Sequence, residues 1–250
     1  MYSLNWKMRQ CRKPSPMRLQ YILRLAFRSA VLAAGLLFWL CAPDVFDILS
    51  GWNFFAAPSL WHVLWGIWVL SMLTQLIPLP HGVPLGSQKL FRQRFQSAGQ
   101  WDAQALHTYL REKNRRALLT MALWCAMLAI VGALRLCGVL TDRELLMLTL
   151  LFYVGDLVCV LVFCPFRLLM GSRCCTVCRI YNWDHFFMFS PLLFSRGFFG
   201  LSLAALSVVT IVVWEAVLLR HPERFWEGSN RALRCGACTD KLCTQFCPRK

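Results

Sequence analysis

Charged side chains are scarce in this chain of 250 residues, and acidic ones are the scarcest. Only 16% of the residues are charged, and 12 acidic residues stand against 27 basic ones. The hydrophobic share is 58%, well above the roughly 45–50% of ordinary soluble domains. Because so little of the chain is polar, the composition argues against a soluble globular domain and points to lipid as the solvent.

Motifs of nucleotide-binding and hydrolytic enzymes are also missing. The sequence has no glycine-rich phosphate loop, no nucleophile elbow and no His-Glu-x-x-His motif, and it has no internal repeat or low-complexity tract. The five histidines are scattered, so His62 and His185 could bind a haem only from facing helices. We therefore predict no catalytic residue.

The formal charge of +15 does not indicate nucleic acid as a partner. The basic residues lie in an N-terminal arm and between hydrophobic stretches, as the positive-inside rule expects. The arm, residues 1–28, contains seven Lys or Arg and no acidic residue, which predicts a cytoplasmic N-terminus. The hydrophobic run that follows has a poor cleavage or lipidation site at Cys41, so we interpret it as a retained anchor.

The hydrophobic runs predict an all-α, polytopic membrane protein with about five spans plus a half-helix or a sixth short span. One transmembrane hairpin is expected at 29–80 and a second at 117–164. The interrupted segment 185–219 is too long for one span and short for two. It holds either a half-helix before a last span at 198–219 or two thin crossings, and these alternatives put the C-terminal tail on different sides of the membrane.

Two polar features stand out against this background. The connection 81–116 is long and basic, and apolar residues from Trp101 to Leu110 recur at helical spacing, which predicts a helix along the membrane surface. That helix could engage anionic lipid or a partner, or serve as a solvated connector. Asp156 is the one carboxylate expected deep in a span, where charges usually face a partner or a polar cavity. Arg135 is a candidate partner for it.

Among the thirteen cysteines, two populations differ in their surroundings. Single cysteines in apolar segments are interpreted as small hydrophobic residues, namely Cys41, Cys125, Cys137 and Cys159. Eight others crowd a Cys-rich loop at 165–184 and a Cys-rich tail at 220–250, while Cys11 lies apart in the N-terminal arm. These candidate ligands are Cys164, Cys174, Cys175 and Cys178 around the loop, and Cys235, Cys238, Cys243 and Cys247 in the tail.

The tail cysteines form the run Cys-x-x-Cys-x4-Cys-x-x-x-Cys-Pro, from Cys235 to Pro248. Its two ends match the bacterial ferredoxin run, and the whole run resembles a variant found in iron–sulfur subunits of membrane-bound molybdenum oxidoreductases. The chain resembles bacterial multi-span membrane proteins of unassigned function that end in such a run. It is more distantly similar to the membrane-anchored ferredoxins of respiratory nitrate and nitrous-oxide systems, but lacks their full two-cluster ferredoxin domain.

This resemblance implies a 4Fe-4S cluster on the tail cysteines, an electron-transfer role and a place in the bacterial cytoplasmic (inner) membrane. With the loop cysteines the thiols number eight, enough for two clusters, although the loop spacing matches no ferredoxin run and Cys174 and Cys175 are adjacent. Alternatively, the pairs Cys175–Cys178 and Cys235–Cys238 form a tetrahedral zinc site. Disulfides or free thiols are the third alternative.

Three functions remain open at this point. The first is a one-electron relay between a redox partner protein and a membrane acceptor such as a quinone. In that case Trp183, Asp184 and His185 line a quinone or proton site, unless Asp184 simply caps a helix. The second is a zinc-stabilised membrane scaffold or assembly factor that docks partners on 81–116. The third is a transporter, which rests on Asp156 alone. Membrane lipid is the expected partner in each case.

Overall fold

The computed structural model describes residues 16–79, 86–172, 174–234, 237–238 and 242. Seven α-helices lie in these ranges: α1 (Pro16–Cys41), α2 (Leu60–Leu76), α3 (Ala103–Leu136), α4 (Asp142–Leu161), α5 (Pro165–Met170), α6 (Asp184–Phe189) and α7 (Phe198–Arg220). Short 3-10 helices connect them. The described ranges contain no β-strand beyond one isolated bridge between Ser97 and Asn230, so the all-α prediction is confirmed.

Within the described part of the chain, four helices are long and apolar enough to cross a membrane, namely α1, α3, α4 and α7. Helix α2 is also apolar but has 17 residues, about 25 Å at 1.5 Å per residue. Large apolar side chains point outward from the helices; Leu37, Leu118 and Val212 are 62%, 72% and 59% exposed. Water-soluble monomers rarely expose apolar surface on this scale. The chain is therefore a helical membrane protein.

Helix α1 begins earlier than the sequence predicted. It starts at Pro16, where proline suits the first helical position, instead of near Ser29. Its first half carries arginines that lower the hydropathy and so conceal the helix from a hydropathy argument. Arg28 nevertheless finds a partner inside the bundle, which lets the apolar helix include it. Residues 16–28 of the predicted arm are thus part of α1.

The predicted surface helix and the predicted third span are one helix. Helix α3 begins after Asp102, whose carboxylate accepts a hydrogen bond from the Gln104 amide at 2.8 Å, and continues without a break to Leu136. Its 34 residues extend about 51 Å, which exceeds a hydrocarbon core of about 30 Å. The basic first turns therefore project beyond the apolar part, and the prediction of a separate surface helix is wrong.

The bundle has two ends, which we call the cysteine face and the opposite face. The cysteine face holds the end of α4 and the residues 162–183 that follow it, and the opposite face holds the turn between α3 and α4. Helix α1 runs antiparallel to α4, since Arg28 contacts Asp156 while Trp39 donates a hydrogen bond to Glu144 at 3.2 Å. The start of α1 therefore lies at the cysteine face.

Helices α2 and α7 run parallel to each other and both end at the cysteine face. Near the end of α2, Gln75 donates a hydrogen bond to Asp184 at 3.1 Å. Towards the other end, Trp65 of α2 donates to Ser202 of α7 at 2.9 Å. Glu215, in the last turns of α7, forms an ion pair with Arg179 of the cysteine-rich loop. The start of α1 and the ends of α2, α4 and α7 thus meet at one face.

Residues 184–197 return the chain from the cysteine face to the opposite face. They comprise α6 and the 3-10 helix Ser190–Phe194. At one end His185 lies 3.1 Å from the Ser71 hydroxyl, and at the other the Arg196 amide donates to Asp142 at 3.2 Å. Most of the segment is buried among the longer helices. Irregular backbone is tolerated at membrane depth where protein surrounds it.

An aromatic cluster holds this thin segment in place. Trp68 of α2 is 1% exposed and contacts three other rings edge-on. Its ring centroid lies 5.5 Å from Tyr153 of α4, 5.1 Å from Phe189 of α6 and 6.3 Å from Phe199 of α7. Edge-to-face pairs at these distances contribute about 0.5–1.5 kcal/mol beyond their buried area. One side chain therefore joins the four elements around the core.

Candidate thiol site

The Cys-Pro step after α4 begins a short helix. Cys164 is the N-cap of α5, where its sulfur accepts a hydrogen bond from the Arg167 amide at 3.4 Å, and Pro165 takes the first helical position. The helix ends at Gly171, whose φ of +55° is left-handed and favours glycine. The Arg116 guanidinium fills the space that a side chain there would need. The chain then turns back, which returns Cys175 to the end of α4.

Three thiols meet where the loop returns. The sulfur of Cys164 lies against the thiols of Cys159 and Cys175, and the Cys175 thiol donates a hydrogen bond to the Cys159 carbonyl oxygen at 3.4 Å. The hydrogen bonds from Cys159 and Cys175, with those from backbone amides of α5, lower the pKa of Cys164 well below that of an ordinary thiol. Donation to Cys164 raises the pKa of Cys175. Within the group, the thiolate form is therefore favoured most at Cys164.

The other two loop cysteines lie beside this group. Cys178 is buried, and desolvation raises the pKa of its thiol. The Cys174 sulfur lies 3.3 Å from the Thr176 hydroxyl. Of the adjacent residues Cys174 and Cys175, it is Cys175 whose thiol lies against the Cys164 sulfur.

Cys159 is the residue that the sequence argument missed. It was interpreted as a small hydrophobic residue, yet it lies in the last turn of α4 with its thiol against Cys164. The spacing between Cys159 and Cys164 could have identified it as a member of the thiol group. Cys159 precedes the Cys-Pro step by five residues, so a helix that ends shortly before that step presents both sulfurs at the same end.

The tail reaches the same place. Leu242, which stands directly before Cys243 in the sequence, is 4% exposed and packs with Tyr21 of α1 and Leu157 of α4. It also lines a small cavity together with Cys159, Cys164, Cys174 and Cys175. Of the four candidate tail ligands the structure describes Cys238; Cys235, Cys243 and Cys247 lie outside the described residues. Leu242 of the tail run therefore lies against the loop thiols.

The residues that the structure describes do not by themselves form a metal site. Among them, no group of three or more Cys, His, Asp or Glu side chains is arranged to hold a metal ion. All nine cysteines in the described ranges are free thiols, so a disulfide among these residues is not formed. A thiolate with neighbouring thiols suits soft metals chemically, and a complete ligand set would require tail cysteines.

A buried ion pair lies one to two helical turns below the thiols. Arg28 of α1 contacts the Asp156 carboxylate at 2.7 Å and stacks over the Tyr153 ring at 4.1 Å. Arg135 instead pairs with Asp142 at 3.1 Å at the opposite face, so the predicted Arg135–Asp156 pair is wrong. The hydropathy argument had placed Arg28 in the arm, outside the membrane. Asp156 is thus paired with Arg28, and the transporter hypothesis, which rests on Asp156, stays a prediction.

A second polar group adjoins this pair. Asp184 accepts hydrogen bonds from Gln75 and from the His185 amide, and its Oδ1 lies 2.9 Å from the His185 ring. The Tyr181 and Tyr21 hydroxyls are 2.9 Å apart. His62 caps α2 near the opposite face, through Ser59. The two histidines proposed for haem therefore lie at opposite ends of the bundle and cannot ligate one haem.

A cavity of about 250 Å³ is lined both by residues of the thiol group and by the two carboxylate residues. Its lining includes Asp156, Asp184, Tyr181, Cys159, Cys164, Cys175 and Cys178. Of the three residues predicted for a quinone or proton site, Asp184 lines this cavity. Trp183 instead donates a hydrogen bond to Glu215 at 2.7 Å.

No family model matches the chain, and neither a curated protein nor a solved structure matches it. Its function therefore has to be inferred from the residues themselves.

The Arg28–Asp156 pair yields a stability prediction. We expect Arg28→Met to lower the free energy of unfolding by about 2–3 kcal/mol, somewhat less than for a fully buried pair, because it leaves a carboxylate uncompensated. The double variant Arg28→Met/Asp156→Leu should regain most of this loss. Thermal unfolding in detergent measures both. Arg143→Met, which breaks an exposed pair with Asp47, is the control and should change stability by less than about 1 kcal/mol. A double variant no more stable than Arg28→Met contradicts the interpretation.

The lowered pKa of Cys164 yields a titration prediction. In reduced, metal-free protein at pH 6, about two units below an ordinary thiol pKa, we expect one equivalent of thiolate in the ultraviolet absorbance. Cys164→Ser should abolish it, whereas Cys41→Ser should not. Cys175→Ala removes a hydrogen-bond donor and should move the titration to higher pH. A wild-type signal that disappears by pH 6 excludes the proposed thiolate.

Proposed function

We propose that the protein is a membrane-bound iron–sulfur protein that transfers electrons between a redox partner and an acceptor in the membrane. The observation behind this proposal is the burial of Leu242, the tail residue before Cys243, against the loop thiols. Leu242 of the tail run and the loop thiols, which are far apart in sequence, thereby meet at one face of the bundle. Such convergence is what a shared inorganic centre requires.

The ligand chemistry favours iron–sulfur over other metals. The run Cys235, Cys238, Cys243 and Cys247 would hold one 4Fe-4S cluster, and the loop group would supply ligands for a second. Thiolates are the ligands of such clusters, and the neighbours of Cys164 lower the pKa of its thiol, which favours the thiolate form. A bound cluster would supply one-electron transfer. The protein's own residues provide preorganised sulfur and an apolar surround.

The alternative is a zinc-stabilised membrane scaffold. It is favoured by the Cys175–Cys178 pair, because Cys175 lines the same small cavity as the buried tail residue Leu242. The zinc site uses the first two tail cysteines and leaves Cys243 and Cys247 without a role. These last two residues therefore discriminate between the two proposals.

We expect anaerobically purified protein to be brown, to contain iron and acid-labile sulfide, and to bleach with dithionite. Because they are ligands of the tail cluster in this proposal, Cys243→Ser and Cys247→Ser should each remove at least the iron of that cluster, which is about half of the total when the loop group holds a second. Cys125→Ser, an exposed cysteine on α3, is the matched control and should retain it. Colourless protein with stoichiometric zinc, unchanged by Cys243→Ser, would reject the iron–sulfur proposal in favour of the scaffold.

We further propose six crossings, with the cysteine face towards the bacterial cytoplasm. Helices α1, α2, α3, α4 and α7 would supply five crossings and residues 184–197 a thin sixth. The opposite-face connection 42–59 contains no Lys or Arg, whereas the connection and basic turns at 86–116 contain seven. The positive-inside rule then assigns the basic side to the cytoplasm. Both ends of the chain would lie on that side.

This orientation predicts the behaviour of reporter fusions. A fluorescent protein fused after Lys250 should fluoresce, because such proteins fold in the cytoplasm. Alkaline phosphatase inserted at Trp52 on the opposite face should be active, because it requires the periplasm. Phosphatase activity from a fusion after Lys250 would contradict the sixth crossing.

A further inference from the structure

We propose that the cavity between α3, α4 and the cysteine loop binds the ring headgroup of a lipid-soluble quinone. This inference rests on the proposed function, because it names the membrane acceptor or donor of the same thiol site. The argument combines the size of the cavity, its aromatic wall, its polar edge and its position within the bundle.

The cavity has the size and walls of a ring-binding site. Its volume is about 250 Å³, and an apolar cavity of about 150 Å³ can already bind benzene. Trp124 and Phe187 stack at 4.3 Å with an interplanar angle of 19°, and Phe152 and Phe166 line the same space. Flat aromatic walls favour a planar ring by offset stacking.

The polar edge is what distinguishes a quinone from an acyl chain. Asp156, Asp184 and Tyr181 are polar residues in the lining of an otherwise largely apolar space. A few polar groups in an apolar pocket are typical of sites that orient a small molecule. The Tyr181 hydroxyl lies 2.9 Å from that of Tyr21, and either can be the donor; with Tyr21 as the donor, Tyr181 can donate a hydrogen bond to a quinone carbonyl. An acyl chain has no group to match these.

The cavity is placed for entry from the bilayer. Gly155 and Val160 of α4, an apolar helix long enough to cross a membrane, line it and are only partly buried. No atom lies within 4 Å of the Cβ position at Gly155, so the cavity has open space beside this helix. The sulfurs of Cys164 and Cys178 line the same cavity. A ring bound there would contact the candidate cluster ligands directly.

Gly155 offers a test that fills the cavity without removing a contact. Full-length protein in lipid nanodiscs would be titrated with heptyl-hydroxyquinoline N-oxide, a fluorescent quinone analogue whose emission is quenched on binding. We expect saturable quenching that decyl-benzoquinone displaces. Gly155→Leu should weaken binding at least tenfold. Gly66→Leu is the matched control, since it is also a helical glycine with nothing within 4 Å, and should bind as wild type does.

A second variant tests the polar edge. Tyr181→Phe keeps the ring but removes the hydroxyl, and we expect severalfold weaker binding of the analogue. Absence of saturable quenching in wild type, displacement by phospholipid alone, or equal affinities in the Gly155 and Gly66 variants would overturn the quinone site.

Iron and sulfide contents of the same nanodisc samples distinguish failure of the quinone site from failure of the proposed iron–sulfur function. A full cluster with no analogue binding rejects the cavity proposal and leaves the iron–sulfur proposal intact. Analogue binding that depends on Gly155 in protein free of iron rejects the iron–sulfur proposal and leaves the cavity as a quinone site.

Discussion

The contact between α1 and α4 is the interaction on which the candidate site depends. Helix α1 is largely exposed, and it packs mainly on α4. Arg28 and Asp156 form the polar centre of that contact, and Gly35 allows the helices to approach closely beside Leu150. A buried ion pair specifies register more than it adds stability. Here it fixes the end of α4, which carries Cys159 and Leu157, relative to Tyr21 of α1. Tyr21 and Leu157 together pack around Leu242 of the tail.

A second constraint is the thin segment 184–197. It reaches across the bundle in fewer residues than a regular transmembrane helix needs, which is feasible because α2, α4 and α7 surround it and Trp68 packs against its ring at Phe189. Its polar first residue, Asp184, thereby enters the interior near Asp156. The segment that returns the chain to the opposite face thus also lines the cavity that we propose for a quinone ring.

The sequence predicted the class of fold and most of the helices, because long apolar runs have few alternatives. It failed where a charge lies inside a helix. Arg28 shortened the predicted first span, and the basic residues before Ala117 divided α3 into two elements, since hydropathy does not register a partner such as Asp156. Within the site, the Cys-Pro step and Cys175 were identified by spacing. Cys159 was missed because a single cysteine in an apolar run is normally inert.

The N-cap geometry of Cys164 bears on how the protein matures. In many small metal-binding domains the polypeptide is unfolded until the ion arrives. Here the sulfur already has amide and thiol donors, and helix α5 is closed at its far end by Gly171 with Arg116 packed over it. These contacts within the protein set the position of Cys164. Under the iron–sulfur proposal, insertion of the chain into the bilayer can therefore precede delivery of the cluster.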